Sequence, residues 1–174
     1  ASRSRDFQMK MCFRPPAGIA AWWRGESNTV DLVAGNDAIR LPTNYPVSMS
    51  YQAGQLGTAF KFNGPNCLFV PRSEGLDVGT GSGLTVEAWI YPNTSSDATN
   101  IESVIDGDVA GQYGQGWGLD NGVIKVILDN QFWTTTQAVS LNTWQHVALT
   151  FNSTKAKLYY NGDSVAALSY TQGS

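Results

Sequence analysis

The stretch Leu84-Thr85-Val86-Glu87-Ala88-Trp89-Ile90-Tyr91 decides the fold. Leu84, Val86, Ala88 and Ile90 alternate with Thr85, Glu87, Trp89 and Tyr91, and a period of two belongs to a half-buried strand. Residues 144–151 repeat the pattern, with Trp144, His146, Ala148 and Thr150 set against Gln145, Val147, Leu149 and Phe151. Turn signals lie outward from these two stretches, at Asn63-Gly64, Asp106-Gly107, Asn121-Gly122 and Asn161-Gly162. Each supplies the positive φ values that a tight hairpin needs. They predict that residues 59–62 lead into 67–70, 116–119 into 123–128, and 156–160 into 164–168. Ile19 to Trp23 forms a further apolar run. No window of a dozen residues has a 3.6 period, so helices are not expected. The pattern predicts an all-β fold, a two-sheet antiparallel β-sandwich. Trp89 and Trp144, set within alternating strands, are expected to fill the space between the sheets. Residues 31–38, 45–54 and 94–100 read as long loops, where binding groups usually lie.

The chain has 174 residues, enough for one domain over 17–174 after a lead-in at 1–16 that ends in Pro15-Pro16. Only 14% of residues are charged and 11% are aromatic, the opposite of a disordered composition. No apolar run reaches the roughly eighteen residues a membrane helix needs, so no membrane insertion is expected. Eleven Lys and Arg face fourteen Asp and Glu, for a net charge of -3. The one basic cluster, Arg3, Arg5, Lys10 and Arg14, reads as part of a solvated tail. Without a basic face, nucleic acid is not an expected partner. Cys12 and Cys67 match no metal motif; they form one disulfide in an exported protein or stand as two thiols. The opening ten residues are polar and carry no signal-peptide core.

Four blocks resemble a known family. They are Ile19-Ala-Ala-Trp22-Trp23-Arg-Gly25-Glu26 with Asp31 and Gly35-Asn36; Gly54-Gln-Leu-Gly57-Thr-Ala59-Phe60-Lys-Phe62-Asn63-Gly64; Leu84-Thr-Val-Glu87-Ala88-Trp89-Ile90-Tyr-Pro92; and Asn142-Thr-Trp144-Gln-His146-Val147-Ala148-Leu-Thr150-Phe151 with Lys157-Leu-Tyr159-Tyr-Asn161-Gly162. In this order they resemble laminin-G-like jelly-roll domains of the concanavalin A-like lectin/glucanase superfamily. The resemblance implies a jelly roll that binds glycans or an extracellular protein, sometimes with calcium, in a secreted or cell-surface setting. Family members normally continue into a strand pair ending in Asp-Glu and an apolar run, and the sequence stops at Ser174 without it. A jelly roll lacking closing strands has an open edge, through which a homo-oligomer could pair.

Catalysis is not expected. Related glucanases use a Glu-x-Asp-x-x-Glu strand, which sets paired acids on one face. Here Glu87 is followed by Trp89 at the paired position. Asp106 and Asp108 flank Gly107 in a turn, and the single histidine, His146, reads as a packed, hydrogen-bonded residue. The glycine-rich stretches at 79–83 and 111–118 match no phosphate loop.

The expected function is therefore a non-catalytic binding module for glycans or an extracellular protein. The alternatives are a glycoside hydrolase with carboxylates in unrecognised loops, or an assembly module that pairs through the open edge. For calcium, the loop at 26–37 offers Glu26, Asp31 and Asn36, with Asn28 and Asp37 nearby, because the ion takes six to eight oxygens. Equally, Asp31 and Asn36 can cap turns. A weaker acidic group is Asp97, Glu102, Asp106 and Asp108. A sugar offers an apolar C–H face and a polar rim, so aromatic side chains are its candidate platform. Trp133 leads, followed by Phe132, Trp117 and Tyr113, with Tyr51 also available. Trp133 and Phe132 are adjacent, so on a strand they face opposite sides, and the alternative is that both pack inward.

Overall fold

The computed structural model describes residues 15, 17–41, 49–63, 66–76, 83–95, 102–107, 115–128, 131–152 and 154–169. The chain forms two compact units, residues 1–77 and 78–174. Among the described residues there is no α-helix, only a 3-10 turn at Glu74–Leu76.

The first unit holds two short strand pairs. Strand β1 (Ile39–Leu41) pairs antiparallel with β4 (Cys67–Phe69), and β2 (Ser50–Ala53) with β3 (Thr58–Lys61). This differs from the sequence expectation at three points. The run at 19–23 is not a strand, since only Trp23 bridges, to Asp31. Asn63-Gly64 does not join two paired strands, because β3 and β4 each pair elsewhere. Strand β2 falls inside the predicted loop at 45–54. Its pairing rests on a cross-strand contact that local sequence does not announce: Tyr51 lies opposite Phe60, ring centroids 5.9 Å apart. The glycine bend before β3 is present, with Gly57 at φ 62° and Gly54 N–H donating to Gly57 O at 3.0 Å.

The second unit is the sandwich. It contains β5 (Leu84–Ile90), β6 (Glu102–Asp106), β7 (Gln115–Asp120), β8 (Val123–Leu128), β9 (Gln131–Ala138), β10 (Gln145–Phe151), β11 (Lys155–Tyr160) and β12 (Asp163–Ser169). One sheet runs β12-β11-β10-β5 and the other β6-β7-β8-β9, with every neighbour antiparallel. Both predicted two-residue hairpins are in place. Asn121 and Gly122 close β7–β8 with φ of 50° and 78°, and Asn161 and Gly162 close β11–β12 with 50° and 91°. Two successive positive φ values match the right-handed twist of the flanking strands. Both sheets contribute to one apolar core: Trp117, Leu119, Ile124, Val126 and Leu128 meet Val147, Leu149, Phe151, Ala156 and Leu158. The fold is an all-β antiparallel sandwich of the jelly-roll kind.

The alternating stretches are strands, as expected, but the inward face is the other one. Leu84, Val86, Ala88 and Ile90 pack against the core, opposite Phe151, Leu149, Val147 and Gln145. Trp89 therefore points away from the core and is 51% exposed. Trp144 and His146 lie on the same outward side by alternation, both half-buried. The reason is additive: four apolar side chains inside outweigh one indole, and Glu87, on the indole's face, cannot be buried unpaired.

Gln145 is the one polar side chain on the inward side of β10, and it is fully buried. Its Oε1 accepts from Ser140 N at 2.8 Å and from the Tyr160 hydroxyl. Its Nε2 donates to Ser140 O at 2.6 Å and Thr143 O at 2.8 Å. All four hydrogen-bonding positions of the amide are used, which is what burial of an amide requires. This clamp fixes the loop that leads into β10 and its outward side chains.

Candidate functional site

The outward face of β5 and β10 carries a group of exposed and half-buried aromatic and polar side chains. The register sets Trp89 opposite His146 and Glu87 opposite Ala148, which is in turn opposite Tyr159 on β11. The Trp89 and His146 rings lie 5.4 Å apart at 54°. His146 Nε2 approaches Glu87 Oε2 to 3.6 Å. One step further along the strands, Tyr91 and Trp144 make a second ring pair, again 5.4 Å apart. Asn142 N–H donates to Pro92 O at 2.8 Å, carrying the β5–β10 ladder past the end of the formal strands.

The β11–β12 turn holds His146 from behind. Asn161 N–H donates to His146 O at 2.8 Å, and Asn161 Oδ1 accepts from His146 N at 2.9 Å. Ala148 is the short side chain in the row between Glu87 and Tyr159, so the face dips there. An exposed indole, a second ring pair, an acceptor carboxylate and an imidazole thus share one surface. It can offer stacking to an apolar ring face and hydrogen bonds to a polar rim.

The residues singled out from sequence are placed differently. Trp117 is 0% exposed and belongs to the core, with its Nε1 finding no acceptor among the described residues, so it is not a surface platform. Trp133 packs inward against the same core, while its neighbour Phe132 is 39% exposed on the outside of β9. Adjacent residues on a strand do split between the faces, but the preferred ring went inside. Lys125 Nζ sits 5.6 Å from the Phe132 ring and 2.8 Å from Asp120 Oδ2, a small outer cluster on the second sheet. Tyr51 lies under Arg40, which donates to its hydroxyl at 2.9 Å. Tyr113, Asp97, Asp108 and Cys12 fall outside the described residues. Sequence reasoning missed Trp89 because it placed the ring between the sheets. The signal that could have found it was Glu87, which shares its face.

The 26–37 loop is built around Asp31, which is 4% exposed. Its Oδ1 accepts from Trp22 N at 2.8 Å and Val33 N at 3.0 Å. Its Oδ2 accepts from Ala34 N at 3.1 Å, Asn36 N at 3.0 Å and Asn36 Nδ2 at 3.0 Å. Burial pushes this carboxyl upward, but the backbone N–H groups of Trp22, Val33, Asn36 and Ala34 outweigh it and lower the pKa to about 2. Glu26 turns away to Thr58, whose Oγ1 lies 3.3 Å from Oε2, and to Arg24 at 3.6 Å. Asn36 Oδ1 accepts from Ser73 Oγ at 2.6 Å. The three oxygen groups do not converge, and five N–H dipoles already address the roughly four lone-pair sites of Asp31. As arranged, this donor set does not fit a calcium ion. Among the described residues no three His, Cys, Asp or Glu side chains form a metal-holding group.

A laminin G-type family model, described as the concanavalin A-like lectin/glucanases superfamily, matches residues 70–174. The chain belongs to that superfamily. Among solved structures the superfamily member resembles domain 4 of AbnA, an extracellular GH43 arabinanase from Geobacillus stearothermophilus solved with arabinotriose. The TM-score is 0.65 at 17% identity, covering 88% of this chain and 78% of that one, a likeness of fold. It also matches a protein from Bacteroides ovatus described as a candidate carbohydrate-binding protein, at 25% identity and a TM-score of 0.42. That match covers 53% of this chain, and the chain spans only 28% of the Bacteroides protein. No curated protein matches this superfamily member.

Proposed function

We propose that this chain is a non-catalytic glycan-binding module that receives sugar on the outward face of β5 and β10. The observation that carries the reading is Trp89, half exposed beside Glu87 and His146. Its indole, with a second ring pair next to it, offers a broad apolar face, and the C–H face of a sugar is its natural complement. Glu87 accepts from sugar hydroxyls and His146 serves the same rim. Superfamily membership and the fold shared with the arabinanase domain support the reading. So does the absence of a second acid at the paired position after Glu87. The 26–37 loop is not a calcium source for this binding in our reading, because Asp31 is held by N–H groups. The setting is extracellular.

The test is calorimetry of the full chain against a panel of neutral polysaccharides, arabinan included, with calcium and again with EDTA. Binding is expected, with equal affinity in both media. Trp89→Ala is expected to weaken it at least about tenfold, the loss of one stacking partner. The melting temperature should barely move, because the ring contributes nothing to the inner core. Unchanged binding by Trp89→Ala would refute the site. Release of shorter sugars during incubation would refute the non-catalytic role.

A further inference from the structure

The glycan reading leaves open what part of a glycan the face takes, and the register bears on that. We infer that the site holds an internal stretch of a neutral glycan chain, at least two consecutive sugars, laid along the β5–β10 seam. This rests on the glycan-binding reading above.

Three features carry it. The first is repetition. Trp89/His146 on the paired strands and Tyr91/Trp144 just past their ends are successive ring pairs along one seam, each with rings 5.4 Å apart. Two residues of antiparallel strand advance about 6.8 Å, so the two aromatic steps follow one another along the strand direction. One sugar covers one step, and its linked neighbour comes over the next.

The second is openness. Trp89 is 51% and Tyr91 38% exposed, and Glu87 is exposed on the other side of Trp89. These three exposed side chains leave the line of pairs open to solvent along its length. A site for a chain terminus needs a closed end to recognise the terminal hydroxyls, whereas an open line accepts a chain that continues in both directions.

The third is charge. The charged group next to Trp89 on its own strand is the carboxylate of Glu87. The outward lysines of β11, Lys155 and Lys157, lie further along: Lys157 is opposite Thr150, two residues beyond Ala148, the partner of Glu87, and Lys155 is two residues further still. A sugar acid stacked on Trp89 would bring its carboxylate toward Glu87, and like charges at short range are unfavourable. A neutral sugar instead offers Glu87 a hydroxyl donor.

The test is a chemical-shift titration of the full chain with two neutral series, arabino-oligosaccharides and β-gluco-oligosaccharides of one to six sugars, and with oligogalacturonides as the acidic series. Affinity for at least one neutral series is expected to rise about tenfold from one sugar to three and then level off, the gain of one added stacking step. Tyr91→Ala should cancel that rise, and Trp89→Ala should weaken binding at every length. The acidic series should bind more weakly than the neutral one, and Glu87→Gln should narrow the difference. Equal affinity for one sugar and three, a rise with length that persists in Tyr91→Ala, or tighter binding of the acidic series overturns the inference. Binding that depends on Trp89 but is complete with one sugar overturns the chain geometry and leaves the glycan reading standing. Absence of binding to every series overturns both.

Discussion

Replacing Asp31 by asparagine probes the side chain with the most hydrogen bonds among the described residues of the first unit. The aspartate oxygens accept five hydrogen bonds between 2.8 and 3.1 Å, four from backbone N–H groups and one from the Asn36 side chain. These bonds stabilise the ionised form, so the carboxyl pKa falls from 3.8 to about 2. At about 1.4 kcal/mol per pH unit, that gap corresponds to about 2 kcal/mol of folding stability. The sign follows from the lowered folded value. The stabilisation is fully present well above the unfolded pKa of 3.8, and it drains away as pH falls through that value and on through about 2.

Asparagine keeps the shape but offers a single acceptor oxygen, and its own N–H₂ is turned against N–H donors. The variant is expected to lose about 2–4 kcal/mol at pH 7, from the lost charge-assisted bonds and the donors left without an acceptor. Urea unfolding from pH 7 to pH 2 measures this, followed by tryptophan fluorescence and by the indole resonance of Trp23. That indole reports on the same loop, because its Nε1 donates to Asn36 O at 2.8 Å. The stability gap between wild type and variant should shrink by about 2 kcal/mol between neutral and strongly acid pH. A gap that stays constant across this range would show that the charge of Asp31 does not hold the loop, and the account of the site would fall.

Three further substitutions test the sandwich. Gln145→Leu leaves the Ser140 N–H and carbonyl, the Thr143 carbonyl and the Tyr160 hydroxyl without their buried partner. Thermal melts should show a loss of about 2–4 kcal/mol. Gly116→Ala would place a Cβ onto the Ile105 carbonyl oxygen across the β6–β7 pair. A loss of about 1–3 kcal/mol is expected, read as a lowered urea midpoint. Asn161→Ala puts a less tolerant residue at a φ of 50° and removes the acceptor for His146 N–H. It should cost about 1–2 kcal/mol and weaken sugar binding by loosening His146 behind Trp89.

By itself the sequence determined that this is a β protein and where two of its hairpins close. A period of two depends only on backbone geometry, so residues 84–91 and 145–151 announce strands whatever surrounds them. Asn-Gly needs positive φ for the same local reason, and Asn121-Gly122 and Asn161-Gly162 turn where they were expected to. Asn63-Gly64 shows the limit, since whether a turn joins partners depends on what the flanking strands find elsewhere. Periodicity also divides a strand into two faces without saying which is inner. Tertiary structure made that choice: Ile90 went inside opposite Gln145, Trp89 outside opposite His146, and Trp117 into the core of the other sheet. It likewise decided the chemistry of Asp31. A carboxylate in a polar loop has the same letter whether a cation or a ring of N–H groups satisfies it, and only the path of the backbone from Trp22 to Asn36 brings the N–H groups to its oxygens.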